Sequence, residues 1–121
     1  MFILAKLSLD YLLTDNQIKA LKELNTKIKK SYIIYNMDVF GSFVRQDADE
    51  ESDLDLLILI KEKATHRIRN NISDLVFEIN LKYDTNISIV VLEREKWEGL
   101  MKITPFYQEI QKEGVFLSEY L

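Results

Sequence analysis

The sequence predicts a layered α/β domain, in which strand-like segments alternate with helical ones. Three observations lead to this prediction. The run Leu54–Ile60 is almost wholly apolar, as in a central strand that is covered on at least one side. A long amphipathic helix follows it from Thr65, and the 121 residues include only three glycines and one proline, so no linker divides them. We therefore expect a single domain over residues 1–121.

The first half of the chain predicts a helix, a strand and a tight turn. Thr14 or Asp15 can cap a helix, because apolar residues follow them at helical spacing. Ser31–Phe40 is rich in β-branched and aromatic residues, which favours a strand. Gly41–Ser42 ends that strand, and residues 43–51 form a short helix or a loop that becomes acidic. The apolar residues of the first helix are Ile18, Leu21, Leu24 and Ile28.

The second half predicts a further strand and two more helices. Asn86–Leu92 reads as a strand, and Glu93–Met101 is expected to be helical. Thr104–Pro105 begins the last helix, with threonine as cap and proline in the first turn. Gly114 ends that helix, and Val115–Leu117 is a candidate for a short last strand. The apolar face of the long central helix consists of Ile68, Ile72, Leu75, Val76, Ile79 and Tyr83.

Composition narrows the classes of function. The formal net charge is -4, and a domain that grips long nucleic acid usually has a basic face, so we expect no polynucleotide substrate. The absence of cysteine excludes disulfides, zinc–thiolate sites and a cysteine nucleophile. The apolar stretch Met1–Leu13 lacks the features of a signal peptide. No apolar run approaches the ~20 residues that span a membrane, so we expect a cytoplasmic protein with no membrane partner.

Two carboxylates at the mouth of the predicted central strand indicate a metal site. Asp53 and Asp55 are two residues apart, and side chains in a strand alternate between faces, so both carboxylates should point the same way. Such a pair repels unless a positive charge lies between its members. A hard divalent cation with oxygen ligands, Mg²⁺ or Mn²⁺, is the natural occupant.

The turn before this strand indicates a phosphate site. Gly41 lets the backbone approach a ligand closely. Ser42 offers a hydroxyl and an amide N–H at the start of a helical turn, where anions bind. Arg45 lies three residues further on, and its guanidinium can donate two parallel hydrogen bonds to phosphate oxygens. The loop and the carboxylates together predict a site for a metal and a nucleoside triphosphate.

The pattern Gly41-Ser42, ten residues, Asp53-x-Asp55 resembles the signature of the DNA-polymerase-beta-like nucleotidyltransferase superfamily. Its spacing is similar to that of the minimal nucleotidyltransferases, which are often encoded beside a HEPN-domain partner in toxin–antitoxin pairs. The resemblance implies a small mixed sheet of three or four strands flanked by helices. It also implies transfer of a nucleoside monophosphate, AMP from ATP, to a hydroxyl acceptor such as a HEPN-domain protein. Asp53 and Asp55 would be the catalytic metal ligands, and Gly41, Ser42 and Arg45 would bind the nucleotide.

One departure from that family concerns catalysis. Active members commonly carry a third carboxylate on the next strand, where this sequence has Ser88, with Asn86 two residues before it. Glu93 or Asp84 could substitute, although each lies at an end of the predicted strand. Two hypotheses therefore stay open: an enzyme, or a catalytically weakened domain that binds a protein or a nucleotide. Self-association also stays open.

Several residues have a plainer interpretation beside the functional one. Arg45 could pair with Asp47 or Asp49 at the surface instead of binding phosphate. His66, the only histidine, is expected to be an exposed residue rather than a catalytic base. We expect three aromatic residues to pack in the core rather than to stack on a base: Trp97, Phe106 and Tyr107.

Overall fold

The computed structural model of the chain describes residues 13–45 and 53–117. The N-terminal apolar stretch up to residue 12 and the acidic residues 47–51 lie outside the described residues. The elements in chain order are α1 (Asp15–Lys29), β1 (Ile34–Phe40), the single-turn α2 (Ser42–Arg45), β2 (Leu54–Ile60), α3 (His66–Tyr83), β3 (Ile87–Glu93), α4 (Arg94–Glu98), a 3-10 segment (Leu100–Ile103), α5 (Pro105–Glu113) and β4 (Val115–Phe116). This order confirms the predicted alternation of helices and strands.

The four strands form one mixed sheet in the order β3-β2-β1-β4. β1 is antiparallel to both β2 and β4, whereas β2 and β3 are parallel and are joined through α3. β2 therefore occupies a central position, as its apolar sequence predicts. The register of β1 and β2 shifts at Tyr35, between the pairs Ile34–Ile60 and Asn36–Leu59.

The two faces of the sheet carry different apolar clusters. Even-numbered residues of β2, such as Leu56 and Ile58, join the main core beneath α1 and α3. Odd-numbered residues, Leu57 and Leu59, pack on the opposite face against Trp97 and Ile110. Helices cover both faces, which explains why β2 is buried almost throughout. No helix within residues 13–45 or 53–117 combines the length and the apolarity needed to cross a membrane.

The caps form as predicted. The Thr14 hydroxyl accepts a hydrogen bond from the N–H of Gln17, and the Gln17 side-chain oxygen accepts one from the N–H of Thr14. Thr65 caps α3 in the same way, by accepting from the N–H of Ile68. Thr104 caps α5, with Pro105 in its first turn. These local bonds satisfy amide groups that a helix leaves without partners.

Three element boundaries differ from the prediction. β1 begins at Ile34, because Ser31 and Tyr32 still donate to the carbonyl of Ile28 and so prolong the end of α1. β3 runs to Glu93, one residue beyond the prediction. The predicted helix over Glu93–Met101 is two short pieces separated at Gly99.

Candidate active site

The predicted site residues meet at one edge of the sheet, where β1 ends and where β2 and β3 begin. Asp55 is the register partner of Phe40 on β1 and of Ser88 on β3. Asp53 directly precedes β2 and is exposed. Because β1 runs against β2, its last residue delivers Gly41 to the same edge. The topology thus brings the loop at Gly41–Ser42 next to Asp53 and Asp55, although more than ten residues separate the loop from this pair in the sequence.

Gly41 lies directly against Asp55. Its φ angle of +81° belongs to the left-handed region, and a Cβ built on it would clash with Asp55 Oδ2. Both observations require glycine: the backbone conformation disfavours other residues, and no space remains for a side chain. The carbonyl of Gly41 accepts hydrogen bonds from the N–H groups of Val44 and Arg45, which close the turn of α2.

The charge of Asp55 is unfavourable in its surroundings. Partial burial raises the pKa of its carboxyl group, and the neighbouring charge of Asp53 raises it further. Arg45 acts in the opposite direction, and Glu109 adds a smaller unfavourable contribution. A carboxylate held near a second one, with only one guanidinium opposing, gains stability when a cation approaches.

Two polar side chains at the start of β3 lie beside Asp53 and Asp55. The side-chain amide of Asn86 donates a short hydrogen bond to Oδ1 of Asp53. Ser88 is exposed and pairs with Asp55 in the parallel register, and directly opposed residues of adjacent strands point to the same face. The hydroxyl of Ser88 therefore lies on the face that carries the Asp55 carboxylate.

Neither of the other carboxylates considered from the sequence stands beside Asp55 in this register. Glu93 pairs with Ile60, five residues further along β2, which corresponds to about 16 Å at ~3.3 Å per residue. It is buried there, and its carboxylate contacts Nζ of Lys96 at 3.6 Å. Asp84 caps the C-terminal end of α3 in a left-handed conformation.

The loop that the sequence predicts to bind phosphate, here called the phosphate loop, contains Ser42 and Arg45 on one helical turn. A single turn carries little of the dipole of a full helix, so any anion affinity must come from individual groups. Arg45 does not stand alone: its Nη1 lies 3.6 Å from Oε1 of Glu109 and 3.5 Å from Oε2 of Glu113, both on α5. Sequence reasoning missed these two partners, since nothing in the pattern of α5 indicates which face turns toward the loop.

The carboxylate pair suits a hard divalent cation. Asp53 and Asp55 supply oxygen donors, and their mutual repulsion favours a bound positive charge. Within residues 13–45 and 53–117, no group of three or more His, Asp or Glu side chains could hold a metal ion. The protein groups found there would thus fill only part of a coordination shell, and phosphate oxygens and water would have to fill the remainder.

The aromatic residues and the histidine considered from the sequence lie outside the candidate site. Trp97 is 2% exposed, and its ring packs 5.7 Å from that of Phe106 and 4.8 Å from that of Tyr107. This confirms their interpretation as packing residues. His66 is exposed in the first turn of α3, as predicted.

One buried carboxylate was not anticipated. Asp38 lies on β1 opposite Leu57, two residues from the pair of Phe40 and Asp55 and therefore on the same face of the sheet. It is only 7% exposed, and this burial raises the pKa of its carboxyl group from 3.8 to about 6. The only signal in the sequence is a charged residue within a predicted strand, which does not reveal which face it occupies.

Comparison with known proteins identifies the family of the chain. Residues 18–117 match the family described as the nucleotidyltransferase domain. The chain belongs to this family, which confirms the resemblance and the fold class predicted from the sequence. Its membership supports nucleotidyl transfer as the general class of activity.

Two relatives from Methanocaldococcus jannaschii bear the name "Putative protein adenylyltransferase". One is 35% identical over 94 residues, which cover 78% of this chain and 87% of the relative. The other is 32% identical over 101 residues, which cover 82% of this chain and 95% of the relative. The chain is also similar to a solved structure described as a toxin–antitoxin with AMP-PNP, with a TM-score of 0.55 over 86% of this chain and 73% of that one. At 13% identity, this similarity concerns the fold alone.

Proposed function

We propose that this protein transfers AMP from ATP to a hydroxyl group of a partner protein, in a reaction that requires Mg²⁺ or Mn²⁺. The observation that carries the proposal is the contact between the loop and the strand: Gly41 lies directly against Asp55, beside Asp53. A loop suited to phosphate and a pair suited to a cation share one edge of the sheet.

In this reaction the acceptor oxygen bonds to the α-phosphorus of ATP, and the bond from that phosphorus to the bridging oxygen breaks. Pyrophosphate leaves, and the proton of the acceptor hydroxyl passes to solvent water. Asp53 and Asp55 would hold the divalent cation, which supplies charge stabilisation for the transferring phosphoryl group. Arg45 and Ser42 would hold the β- and γ-phosphates, so that the leaving pyrophosphate stays aligned with the attacking oxygen.

The identity of nucleotide and acceptor is supported by the relatives. Both are named as protein adenylyltransferases, and the similar solved structure is described as a toxin–antitoxin with AMP-PNP. The acidic net charge also favours a protein acceptor over a nucleic acid. We infer that a HEPN-domain toxin, as the family resemblance implies, is the acceptor to test first, with this chain as its antitoxin.

The test is label transfer. The protein is incubated with ATP labelled at the α-phosphate, with Mg²⁺ or Mn²⁺, and with a candidate acceptor protein; labelled acceptor and released pyrophosphate are then measured. We expect both products in equal amounts, and neither after EDTA addition or with the double variant Asp53→Asn, Asp55→Asn. Label transfer that persists in EDTA would contradict the metal requirement. No transfer to any acceptor would favour the alternative below.

A second function rests on one specific observation, the serine in register with Asp55. A hydroxyl is a weaker metal ligand than a carboxylate, so Ser88 would leave the catalytic site poorer in negative charge than the family pattern requires. In this alternative the domain binds a nucleotide and a partner but turns over slowly or not at all. Calorimetry distinguishes the two functions, because it detects binding of ATP with Mg²⁺ whether or not pyrophosphate forms.

A further inference from the structure

The C-terminal helix reaches the phosphate loop through two acidic residues on one of its faces. Glu109 and Glu113 are four residues apart on α5, a spacing that places both side chains on the same side of a helix. Both contact the same atom, Nη1 of Arg45, at 3.6 and 3.5 Å. One guanidinium nitrogen thus lies between two carboxylates from a helix that begins sixty residues later in the chain.

The position of this helix is fixed independently of the ion pairs. Ile110 is buried against Leu57 and Trp97. Phe106 packs edge-to-face on Phe40, with ring centroids 5.3 Å apart, and Phe40 directly precedes the phosphate loop. Glu109 and Glu113 therefore project from a packed helix whose contacts include the residue at the base of the loop.

Glu109 also belongs to the electrostatic surroundings of Asp55. Arg45 lowers the pKa of Asp55, and Glu109 raises it, so both groups lie within electrostatic reach of that carboxylate. Oε2 of Glu113 is buried and forms no hydrogen bond to the described part of the chain. Its contact with Arg45 is therefore its main compensation for burial.

We propose that Glu109 and Glu113 are positioning residues, which hold the Arg45 guanidinium beside Asp55 so that it meets the incoming triphosphate. The proposal rests on the proposed function, in which Arg45 binds the β- and γ-phosphates. The N–O distances exceed the 2.7–2.9 Å typical of strong charge-assisted bonds, so the two carboxylates orient the guanidinium by charge rather than by short hydrogen bonds. Arginine has much side-chain entropy to lose, and holding it in place before the ligand arrives removes that cost from binding.

Two effects of removing a carboxylate oppose each other. A glutamate repels a nearby anionic ligand, so removing the carboxylate favours ATP binding. The same change releases Arg45, which must be ordered again when ATP binds, so it also disfavours binding. The side chains of Arg45 and Glu113 are 43% and 31% exposed, so solvent partly screens the repulsion. We therefore expect the ordering effect to prevail, with ATP affinity about three- to tenfold weaker in Glu113→Gln.

A double-mutant cycle tests this inference. The affinity for a non-hydrolysable ATP analogue with Mg²⁺ is measured for the unmodified protein, Glu113→Gln, Arg45→Ala and the double variant. We expect Glu113→Gln to weaken binding in the presence of Arg45 and to change nothing in its absence. A conservative variant, Glu113→Asp, should recover part of the affinity. Glu98→Gln is the matched control, because Glu98 forms a half-exposed i,i+4 ion pair with Lys102 in the neighbouring segment.

The outcomes distinguish failure of the positioning role of Glu113 from failure of the proposed function. Equal weakening by Glu113→Gln with and without Arg45 would mean that Glu113 acts through the fold, which overturns the positioning role. Unchanged or tighter binding in Glu113→Gln, while Arg45→Ala binds weakly, would overturn it as well and leave the proposed function intact. If Arg45→Ala itself binds ATP normally, the phosphate role of Arg45 fails first. Should Glu113→Gln fold poorly, Glu109→Gln offers the same cycle at a more exposed position.

Discussion

Asp55 and Ser88 are register partners on the parallel strands β2 and β3, at the edge of the sheet where Gly41 also lies. The pairing gives their side chains a common face and leaves no residue between them. A carboxylate at position 88 would therefore stand next to Asp55. Position 88 is therefore the place to test whether a third carboxylate changes the rate of AMP transfer.

We predict that Ser88→Asp raises the rate of AMP transfer or tightens the binding of a divalent cation, because it adds a charged oxygen ligand beside Asp55. The third negative charge should also destabilise the protein without metal and restore its stability when Mg²⁺ is added. Thermal unfolding with and without Mg²⁺ measures this. Ser73→Asp, an exposed position on α3, is the control; an equal response to Mg²⁺ in both variants would contradict the prediction.

Asp53→Ala and Asp55→Ala should each abolish metal-dependent binding of ATP and leave the fold intact. Outer groups that only support metal ligands are typically worth 10–100-fold in metal affinity, so losing a ligand itself should cost at least about a hundredfold. Relief of the repulsion at Asp55 should leave the melting temperature equal or slightly higher. Calorimetry with ATP and Mg²⁺ decides the matter, with Asp74→Ala on α3 as control; unchanged affinity in both variants would rule out the metal site.

Arg45→Ala should weaken ATP binding more than AMP binding, because the loop is expected to hold the β- and γ-phosphates. A hydrogen bond to a charged group contributes about 1.5–3 kcal/mol, which sets the expected loss for ATP. The control is Arg94→Ala, whose guanidinium lies 4.2 Å above the ring of Tyr35, near the opposite end of β2. Equal weakening of both nucleotides would show that Arg45 does not contact the outer phosphates.

Asp38 should make stability depend on pH. Its folded pKa of about 6 lies above the ordinary 3.8, so the unfolded chain ionises first as pH rises. Stability is therefore lost between about pH 4 and pH 6 and stays lost above that range. At 1.36 kcal/mol per pKa unit the loss is up to about 3 kcal/mol. Urea unfolding should show that the free energy of unfolding of Asp38→Asn increases by this amount, relative to that of the unmodified protein, from pH 4 to pH 7. The same pH dependence of unfolding free energy in both proteins would contradict the prediction.

Gly41→Ala should destabilise the protein and impair metal binding together. The left-handed backbone alone costs a non-glycine residue about 1–2 kcal/mol, and the new methyl group would displace Asp55 Oδ2. In the background Asp55→Ala the second contribution disappears, so Gly41→Ala should cost less there. Unfolding free energies of the four proteins measure this difference, and purely additive effects would argue against the contact.

Much of the fold follows from local patterns. The apolar run Leu54–Ile60 and the helix capped by Thr65 lie where the sequence predicts them, since burial on both faces and helical periodicity each leave a distinct signature. Aspartates before a strand are commonly solvated turn residues, so Asp53 and Asp55 could be predicted as a site only because Gly41-Ser42 precedes them at a fixed distance. The sequence could not predict that Arg45 meets Glu109 and Glu113, because such contacts depend on how α5 packs against the sheet.

The contact between Gly41 and Asp55 also limits how sequences of this kind can diverge. The two positions lie fourteen residues apart, yet the space for a side chain at one is filled by a carboxylate oxygen of the other. Substitutions at position 41 should therefore be recovered mainly in lineages that have already given up the carboxylate at position 55. In a collection of natural or random variants, a residue other than glycine at this position would mark a domain that has abandoned the chemistry and kept the scaffold.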